Sequence, residues 1–240
     1  MSTSHFIERT KVSLSELVLP AEVALPLEAF LQEYQFKEEL LKYQLAVNNK
    51  LLLFGATGCG KTMTAKAIAT HFNKKLIVVN LAAIVSSKLG ETTKNLEELF
   101  KEVQYESAVL FLDEFDSLGQ LRSFDAKDNS EMKRVVNALL QLIDYFPTKS
   151  ILIAATNQVD LIDPALRRRF EVHLEYRNPN EAELDGFYDQ LLAKYPLEYQ
   201  QLERKYQCSY ATAAQHCYTG VKKNIIQQKL RENENLTIFK

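Results

Sequence analysis

The sequence predicts an α/β protein, a three-layer αβα sandwich around a five-stranded parallel sheet, followed by a small C-terminal helical lid. Two observations lead to this prediction. Short apolar segments alternate with segments of helical periodicity, and beyond residue 180 only helical periodicity remains. Strands that alternate with helices are typical of a parallel sheet with helices on both faces. The predicted strands are 51–54, 75–80, 108–114, 150–157 and 171–176.

The individual elements follow from local pattern. The segment Leu51–Phe54 is fully apolar and ends at Gly55, as expected of a strand that is buried on both faces. The last predicted strand, EVHLEY, instead alternates between apolar and polar residues. Helices are expected where apolar residues recur every three to four positions. The clearest of these are 61–72, 91–106 and 131–146.

The domain organisation is predicted from a change in composition at YRNPN, residues 176–180. Strand patterns end there, and the apolar spacing after it is helical. Before the first strand the apolar residues also recur at helical spacing, with two prolines that break or begin helices. The sequence therefore predicts an N-terminal helical arm (1–48), an αβα body (49–177) and a helical lid (178–240).

The bulk composition indicates a cytoplasmic protein. The net charge of −2 gives no electrostatic reason to expect nucleic acid or an anionic membrane as a partner. A basic segment at 222–231 is the local alternative, although a solvated helix face is the favoured interpretation of it. No run reaches the ~18 apolar residues of a membrane span, and the first residues lack the apolar core of a signal peptide. Three cysteines without metal-like spacing indicate reduced thiols, so we expect a cytoplasmic localisation.

Residues 55–62, GATGCGKT, match the phosphate-loop pattern Gly-x-x-x-x-Gly-Lys-Ser/Thr. A strand precedes the loop and a helix follows it, so that backbone N–H groups and a helix N-terminus can surround an anion. We expect Lys61 to reach the β- and γ-phosphates of ATP, and Thr62 to bind Mg²⁺. The residues predicted to bind the nucleotide are Gly55, Ala56, Thr57, Gly58, Cys59, Gly60, Lys61, Thr62, Met63 and Asp113.

Two further strand ends carry candidate catalytic residues. Asp113 and Glu114 follow four apolar residues, at the carboxyl end of a predicted buried strand, where ligands bind in open α/β sheets. We expect Asp113 to hold Mg²⁺ through water, and Glu114 to polarise a water for in-line attack on the γ-phosphate. Asn157 ends the next predicted strand, and its amide is expected to orient that water.

These motifs together resemble the AAA+ ATPases, and within them the classical AAA branch. The matching segments are GATGCGKT, LFLDEFDSL, IAATN and LIDPALRRRFE, and the chain also resembles compact bacterial AAA ATPases that carry DEFD, RVVNALLQ and RRF. The resemblance covers roughly residues 45–240. It implies a P-loop NTPase sandwich with a helical lid, and ATP hydrolysis between the subunits of a homo-oligomer, usually a hexameric ring. It also implies that an arginine of one subunit reaches the γ-phosphate held by its neighbour.

The arginine segment departs from the family pattern, in which two finger arginines are spaced apart. Here Arg167, Arg168 and Arg169 are consecutive. Successive residues of a helical turn point about 100° apart, so all three cannot address one phosphate. Arg169 matches the family best and Arg168 is the second candidate, whereas Arg167 is expected to pair with nearby acids.

A second departure concerns the loop that grips polypeptide in translocating relatives. Lys88 stands where those relatives have an aromatic residue, and Leu89 is a partial substitute. The segment 119–130 is the candidate second pore loop. An ordinary surface loop remains the alternative interpretation of both segments.

The phosphate loop departs from the family as well. The AAA branch usually has two prolines and a threonine where Ala56, Thr57 and Cys59 stand. Cys59 is either a small spacer or a thiol whose pKa is lowered at a helix N-terminus, which would make it oxidisable.

Two functions of different classes fit the sequence. The first is an ATP-hydrolysing ring that remodels or translocates a protein partner. The second is a nucleotide-gated scaffold that assembles with a companion effector, such as a protease or nuclease, without threading a substrate. A DNA-linked ATPase is disfavoured by the net charge and by the lack of a DNA-binding module.

Overall fold

The computed structural model describes residues 5–86, 89–120 and 126–238, and the chain divides into two compact units. The α/β unit comprises Met1–Gly55 and Lys61–Tyr176, and the helical unit comprises Ala56–Gly60 and Arg177–Lys240. The middle of the predicted phosphate loop thus groups with the C-terminal helices. The three-part division of the chain into 1–48, 49–177 and 178–240 stays a prediction. Within the described ranges no helix is both long and apolar enough to cross a membrane.

The sheet confirms the predicted α/β class. Its strands are β1 (His5–Glu8), β2 (Lys50–Gly55), β3 (Leu76–Asn80), β4 (Val109–Asp113), β5 (Ile151–Thr156) and β6 (Val172–Tyr176). They are arranged in the order β1-β3-β4-β5-β2-β6, and β2 to β6 are parallel. Because β4, β5 and β2 are consecutive parallel strands, the carboxyl ends that carry the predicted catalytic residues lie at the same edge of the sheet as the end of β2, with β5 directly beside β2.

Helices connect the strands and cover the sheet. They are α1 (Ala21–Gln35), α2 (Lys37–Lys42), α3 (Lys61–His71), α4 (Leu81–Ser86), α5 (Leu89–Glu106), α6 (Ser117–Gln120), α7 (Ala126–Asp144), α8 (Pro164–Arg167), α9 (Glu181–Leu192) and α10 (Tyr210–Ile238). Helix α1 packs against β6, α3 against β3 to β5, and α5 against α7. The connections are those of a doubly wound fold.

The core explains why these segments adopt these elements. Helices α5 and α7 each bury one apolar face, Leu96, Leu99, Phe100 and Val103 in α5, and Val135, Val136, Leu139 and Ile143 in α7. These faces form one cluster with alternate residues of the strands, among them Ile77, Leu110 and Leu152. The intervening strand residues Val78, Phe111 and Ile153 are buried outside that cluster, as expected of a sheet covered on both sides.

One strand was not predicted. The sequence indicates five parallel strands and a helical arm, whereas β1 adds a sixth strand from within the arm, antiparallel to β3. Glu8 pairs with Lys66 of α3 at 2.8 Å, and the backbone N–H of Val12 donates to Thr70 Oγ1 at 3.2 Å. Four residues, HFIE, are too short for a reliable strand pattern, and their pairing depends on these long-range contacts.

The helical unit is built around the packing of α9 on α10. Its core consists of Leu184, Tyr188, Leu191, Leu192, Tyr210, Ala213, Cys217 and Val221. The Asn180 side chain caps α9 by accepting a hydrogen bond from the Glu183 backbone N–H. The Asn180 backbone N–H in turn donates to the Glu183 carboxylate, which completes a capping box. Arg204 in the loop between the helices forms ion pairs with Asp185 and Asp189 of α9.

Candidate functional site

The predicted phosphate loop covers residues 55–62. Of these, Gly55, Lys61 and Thr62 belong to the α/β unit. Gly55 has φ +115°, and a Cβ at this position would lie 2.1 Å from the Tyr176 carbonyl oxygen of β6, so only glycine fits. Lys61 is buried at the start of α3, and its Nζ donates to the Gly55 carbonyl at 2.7 Å. The lysine ammonium therefore lies at the carboxyl end of β2, on the same edge of the sheet as Asp113 at the end of β4 and separated from β4 by one strand, β5.

The loop residues of the helical unit, Ala56–Gly60, contact the start of α10. The backbone N–H of Ala211 donates to the Gly58 carbonyl at 3.0 Å. Gly58 has φ +74°, and a Cβ there would lie 2.7 Å from Ser209 Oγ. The second glycine of the motif is thus required both by its backbone conformation and by the close approach of the first turn of α10.

Cys59 is buried, with 3% of its surface exposed. Its Sγ donates to Asn178 Oδ1 at 3.4 Å and is 3.7 Å from the Thr57 carbonyl oxygen. A thiol in this position fills space and contributes a weak hydrogen bond. The geometry favours the spacer interpretation of Cys59 over that of an oxidisable surface thiol, because oxidation requires access.

Asp113 and Glu114 stand where β4 ends. Asp113 is half-buried, and burial is the main cause that raises the pKa of its carboxyl, with Glu114 and Asp116 adding repulsion and Lys61 opposing it. Glu114 has φ +54°, its backbone N–H donates to Asp113 Oδ1 at 2.9 Å, and it is exposed. A non-glycine residue in the left-handed region stores strain, which is typical of functional sites.

Asn157 follows β5 and is exposed, with Thr156 buried before it. Thr156 Oγ1 donates to Asp116 Oδ1 at 2.6 Å and accepts from the Gln158 backbone N–H at 2.9 Å. Asp116 and Thr156 were not predicted from the sequence as residues that connect the two strand ends. The sequence signal for Asp116 is its position as the last residue of the DEFD motif, because the predicted chemistry assigns a role to Asp113 and Glu114 but none to this third acid.

Thr62 and Met63 are exposed in the first turn of α3. The hydroxyl of Thr62 and the carboxylate of Asp113 are oxygen groups of the type that Mg²⁺ binds. Burial and two neighbouring acids disfavour the ionised form of Asp113, so a cation would relieve that cost. The donor set therefore fits the expected Mg²⁺.

The three consecutive arginines have different surroundings. The Arg167 guanidinium carbon lies 5.9 Å from the ring centroid of Phe54. Arg169 forms an ion pair with Asp144, with Nε 3.1 Å from Oδ1. Arg168 is exposed, and its side chain has no hydrogen bond or ion pair with the described part of the chain. Arg167 was expected to pair with nearby acids, but its contact with the described residues is with an aromatic ring and no ion pair with a described acid is present.

The predicted pore-loop residue Lys88 lies outside the described residues. Leu89 begins α5, and its side chain is likewise not among those described. The second predicted loop, 119–130, also falls partly outside them. Both assignments stay predictions.

The fold and the strand-end residues define a class of protein. Residues 51–178 match the ATPase family associated with various cellular activities (AAA). The chain therefore belongs to the AAA family, and its class is that of an ATP-binding, ATP-hydrolysing enzyme. This confirms the resemblance inferred from the sequence motifs.

Individual relatives agree with this assignment. The uncharacterized AAA family ATPase y4kL of Sinorhizobium fredii is 32% identical over 238 residues, 97% of this chain and 72% of that protein. A putative 26S proteasome regulatory subunit homolog of Methanocaldococcus jannaschii is 34% identical over 151 residues, 61% of this chain and 40% of that protein. The crystal structure of the FIGL-1 AAA domain has the same fold, with a TM-score of 0.69 and 20% identity over 90% of this chain and 74% of that one.

Proposed function

We propose that this protein hydrolyses ATP at sites completed by a neighbouring subunit, in a homo-oligomeric hexameric ring that acts on a protein partner. The observation that carries the proposal is the convergence of Lys61, Asp113 and Asn157 at the carboxyl ends of β2, β4 and β5, which are adjacent in the sheet. This is where a nucleotide binds in an open α/β fold.

Each residue has a defined task in this proposal. The backbone N–H groups of residues 55–62 and the start of α3 bind the phosphates, and Lys61 neutralises charge on the β- and γ-phosphates. Glu114 accepts a proton from the attacking water, and the Asn157 amide orients that water toward the γ-phosphate. The exposure of Glu114 and Asn157 supports these tasks, because both groups must reach substrate.

Thr62 and Asp113 are the residues that would hold Mg²⁺, with Asp113 acting through water. When bound, Mg²⁺ neutralises charge on the phosphate oxygens. Burial raises the pKa of the Asp113 carboxyl and so disfavours its ionised form. A bound cation would favour the ionised form, which supports Asp113 as a residue that holds Mg²⁺.

The arginine segment supplies positive charge to the neighbour's γ-phosphate. A guanidinium is permanently charged and stabilises transition-state charge on phosphoryl oxygens. The exposed Arg168 and the half-exposed Arg169 are the candidates, and the contact of Arg167 with Phe54 makes it the weakest of the three. Hydrolysis then depends on assembly, since no subunit completes its own site.

A protein is the proposed substrate class. The regulatory-subunit name of the archaeal relative supports this, together with the net charge of −2, which disfavours nucleic acid. The second candidate, a nucleotide-gated scaffold for a companion effector in the cytoplasm, is favoured by Lys88 at the position of the expected aromatic. It shares the same ATP site and differs only in whether a polypeptide is threaded.

The proposal is tested with the Glu114→Gln variant. We expect it to bind ATP as the wild type does and to release phosphate at less than about 1% of the wild-type rate. Electron microscopy of this variant with ATP shows the ring order and any threaded chain. Wild-type ATPase activity per subunit should rise with protein concentration, and a rate independent of concentration would refute hydrolysis at shared sites.

A further inference from the structure

The guanidinium of Arg169 is held on three sides. Its Nε is 3.1 Å from Asp144 Oδ1, its Nη2 is 3.4 Å from Asp144 Oδ2, and its Nη1 donates to the Ala165 carbonyl oxygen at 3.0 Å. The pair with Asp144 is therefore bidentate, the geometry that fixes the plane of a guanidinium. This contact joins the turn after α8 to the last residue of α7.

The same geometry leaves donors available. A guanidinium carries five N–H groups, and these contacts use one on each nitrogen, so Nη1 and Nη2 each keep one further N–H. The Arg169 side chain is 34% exposed. Arg169 can therefore remain bound to Asp144 and still present two donors to an anion outside its own subunit.

Asp144 occupies a position that costs helix stability. It is the last residue of α7, and a negative charge there interacts unfavourably with the helix dipole. The positive charge of Arg169 offsets that cost. The Asp144 side chain is 48% exposed, so the ion pair contributes little to global stability.

We propose that Asp144 is a positioning residue that orients the Arg169 guanidinium for the γ-phosphate of a neighbouring subunit. The inference rests on the proposed hydrolysis at shared sites. It assigns Asp144 a role that is exerted only through Arg169, without contact to the nucleotide or the attacking water. Fixing the plane of the fork before assembly reduces the entropy lost when its remaining donors meet the phosphate. Arg168 has no comparable support among the described residues.

The test uses the full-length protein in its assembled state. We expect Asp144→Ala to lower kcat about tenfold, with the KM for ATP nearly unchanged, because the arginine is needed mainly in the transition state. Asp144→Glu, which keeps the carboxylate, should restore most of the rate. Glu106→Ala is the matched control, since Glu106 also ends a helix and pairs with Lys75 at 2.7 Å, and it should leave kcat unchanged.

Mixed assemblies separate positioning from a local folding defect. Asp144→Ala subunits are co-assembled with a large excess of Glu114→Gln subunits, which cannot hydrolyse ATP but carry an intact Arg169. Phosphate release per Asp144→Ala subunit should return to the wild-type level, because each such site now receives a correctly oriented arginine from its neighbour.

Arg169→Ala, mixed in the same way, distinguishes failure of this inference from failure of the proposed function. If the Arg169→Ala rate is not restored by the excess subunits, hydrolysis at shared sites through Arg169 is wrong and the inference is lost with it. If it is restored but Asp144→Ala has full activity alone, or has a deficit that mixing leaves unchanged, only the role of Asp144 is overturned.

Discussion

Thr156 donates a hydrogen bond of 2.6 Å to the buried carboxylate of Asp116, and this bond joins the ends of β4 and β5. Asp116 belongs to the acidic segment that contains Glu114, and Thr156 directly precedes Asn157. The proposed base and the proposed water-orienting amide thus belong to segments tied together by one buried side-chain contact. Such contacts fix the relative position of groups that must act on the same water.

Removing this bond should impair both stability and turnover. Thr156→Val keeps the shape of the side chain but takes a donor from a buried carboxylate, which costs about 1–3 kcal/mol. We also expect phosphate release to fall about tenfold, with ATP affinity retained. Urea unfolding and steady-state ATPase assays measure the two effects. Thr156→Ser keeps the hydroxyl and should be close to wild type, and full turnover of the valine variant would disprove the positional link.

Gly55 and Gly186 should respond in opposite ways to alanine. At Gly55 the added Cβ meets the Tyr176 carbonyl oxygen at 2.1 Å and the backbone has φ +115°, so we expect destabilisation by more than about 3 kcal/mol. Gly186 lies within α9 with nothing within 4 Å of an added Cβ, so alanine should stabilise by about 0.5–1 kcal/mol. Thermal unfolding compares them, and a tolerated Gly55→Ala would contradict the described packing of β2 on β6.

The attachment of β1 should depend on pH through Glu8. The hydrogen bond from Lys66 is the main cause that lowers the pKa of Glu8 from 4.5 to about 2. The folded state therefore binds fewer protons at Glu8 than the unfolded state, and its contribution to stability is complete above about pH 4.5 and lost as the pH falls toward 2. Hydrogen exchange of residues 5–8 should accelerate, relative to the β4 amides, between pH 5 and pH 3.

Glu8→Gln is the control for this effect. The variant lacks the carboxylate, so the exchange of its β1 amides should lose that pH dependence. An unchanged dependence in Glu8→Gln would show that a different group releases the strand.

Oxidation should leave ATPase activity unchanged. Cys59 is 3% exposed and is engaged with Asn178 inside the helical unit, so peroxide and thiol reagents should reach Cys208 and leave Cys59 unmodified in the folded protein. Mass spectrometry of the labelled protein identifies the modified thiols. Loss of activity on peroxide treatment that Cys59→Ser prevents would instead support a redox role.

The α/β class and its five parallel strands could be predicted because four of the strands are apolar runs and the fifth, β6, alternates between apolar and polar residues. The phosphate-loop pattern of residues 55–62 could also be recognised, because it is a contiguous motif between a strand and a helix, and phosphate binding by it stays a prediction. Local pattern is sufficient where a residue's role follows from its immediate neighbours in the chain.

The features that escaped prediction depend on contacts between distant segments. Strand β1 is only four residues long and pairs with β3, which is about 70 positions away in the chain. The three arginines are identical in type, and only their partners Phe54 and Asp144 distinguish them. The hydrogen bond from Thr156 to Asp116 likewise joins residues 40 positions apart, so no local sequence pattern predicts it.

The position of β1 has a practical consequence for handling this protein. It covers the hydrogen-bonding edge of β3, whose residues Leu76–Val79 are buried and apolar. A protein shortened to begin after Thr10 would present that edge bare, and bare apolar edges recruit strands from other molecules. Aggregation of such a shortened protein would then indicate that the edge of β3 is exposed. Affinity tags are better placed where they leave residues 5–8 intact.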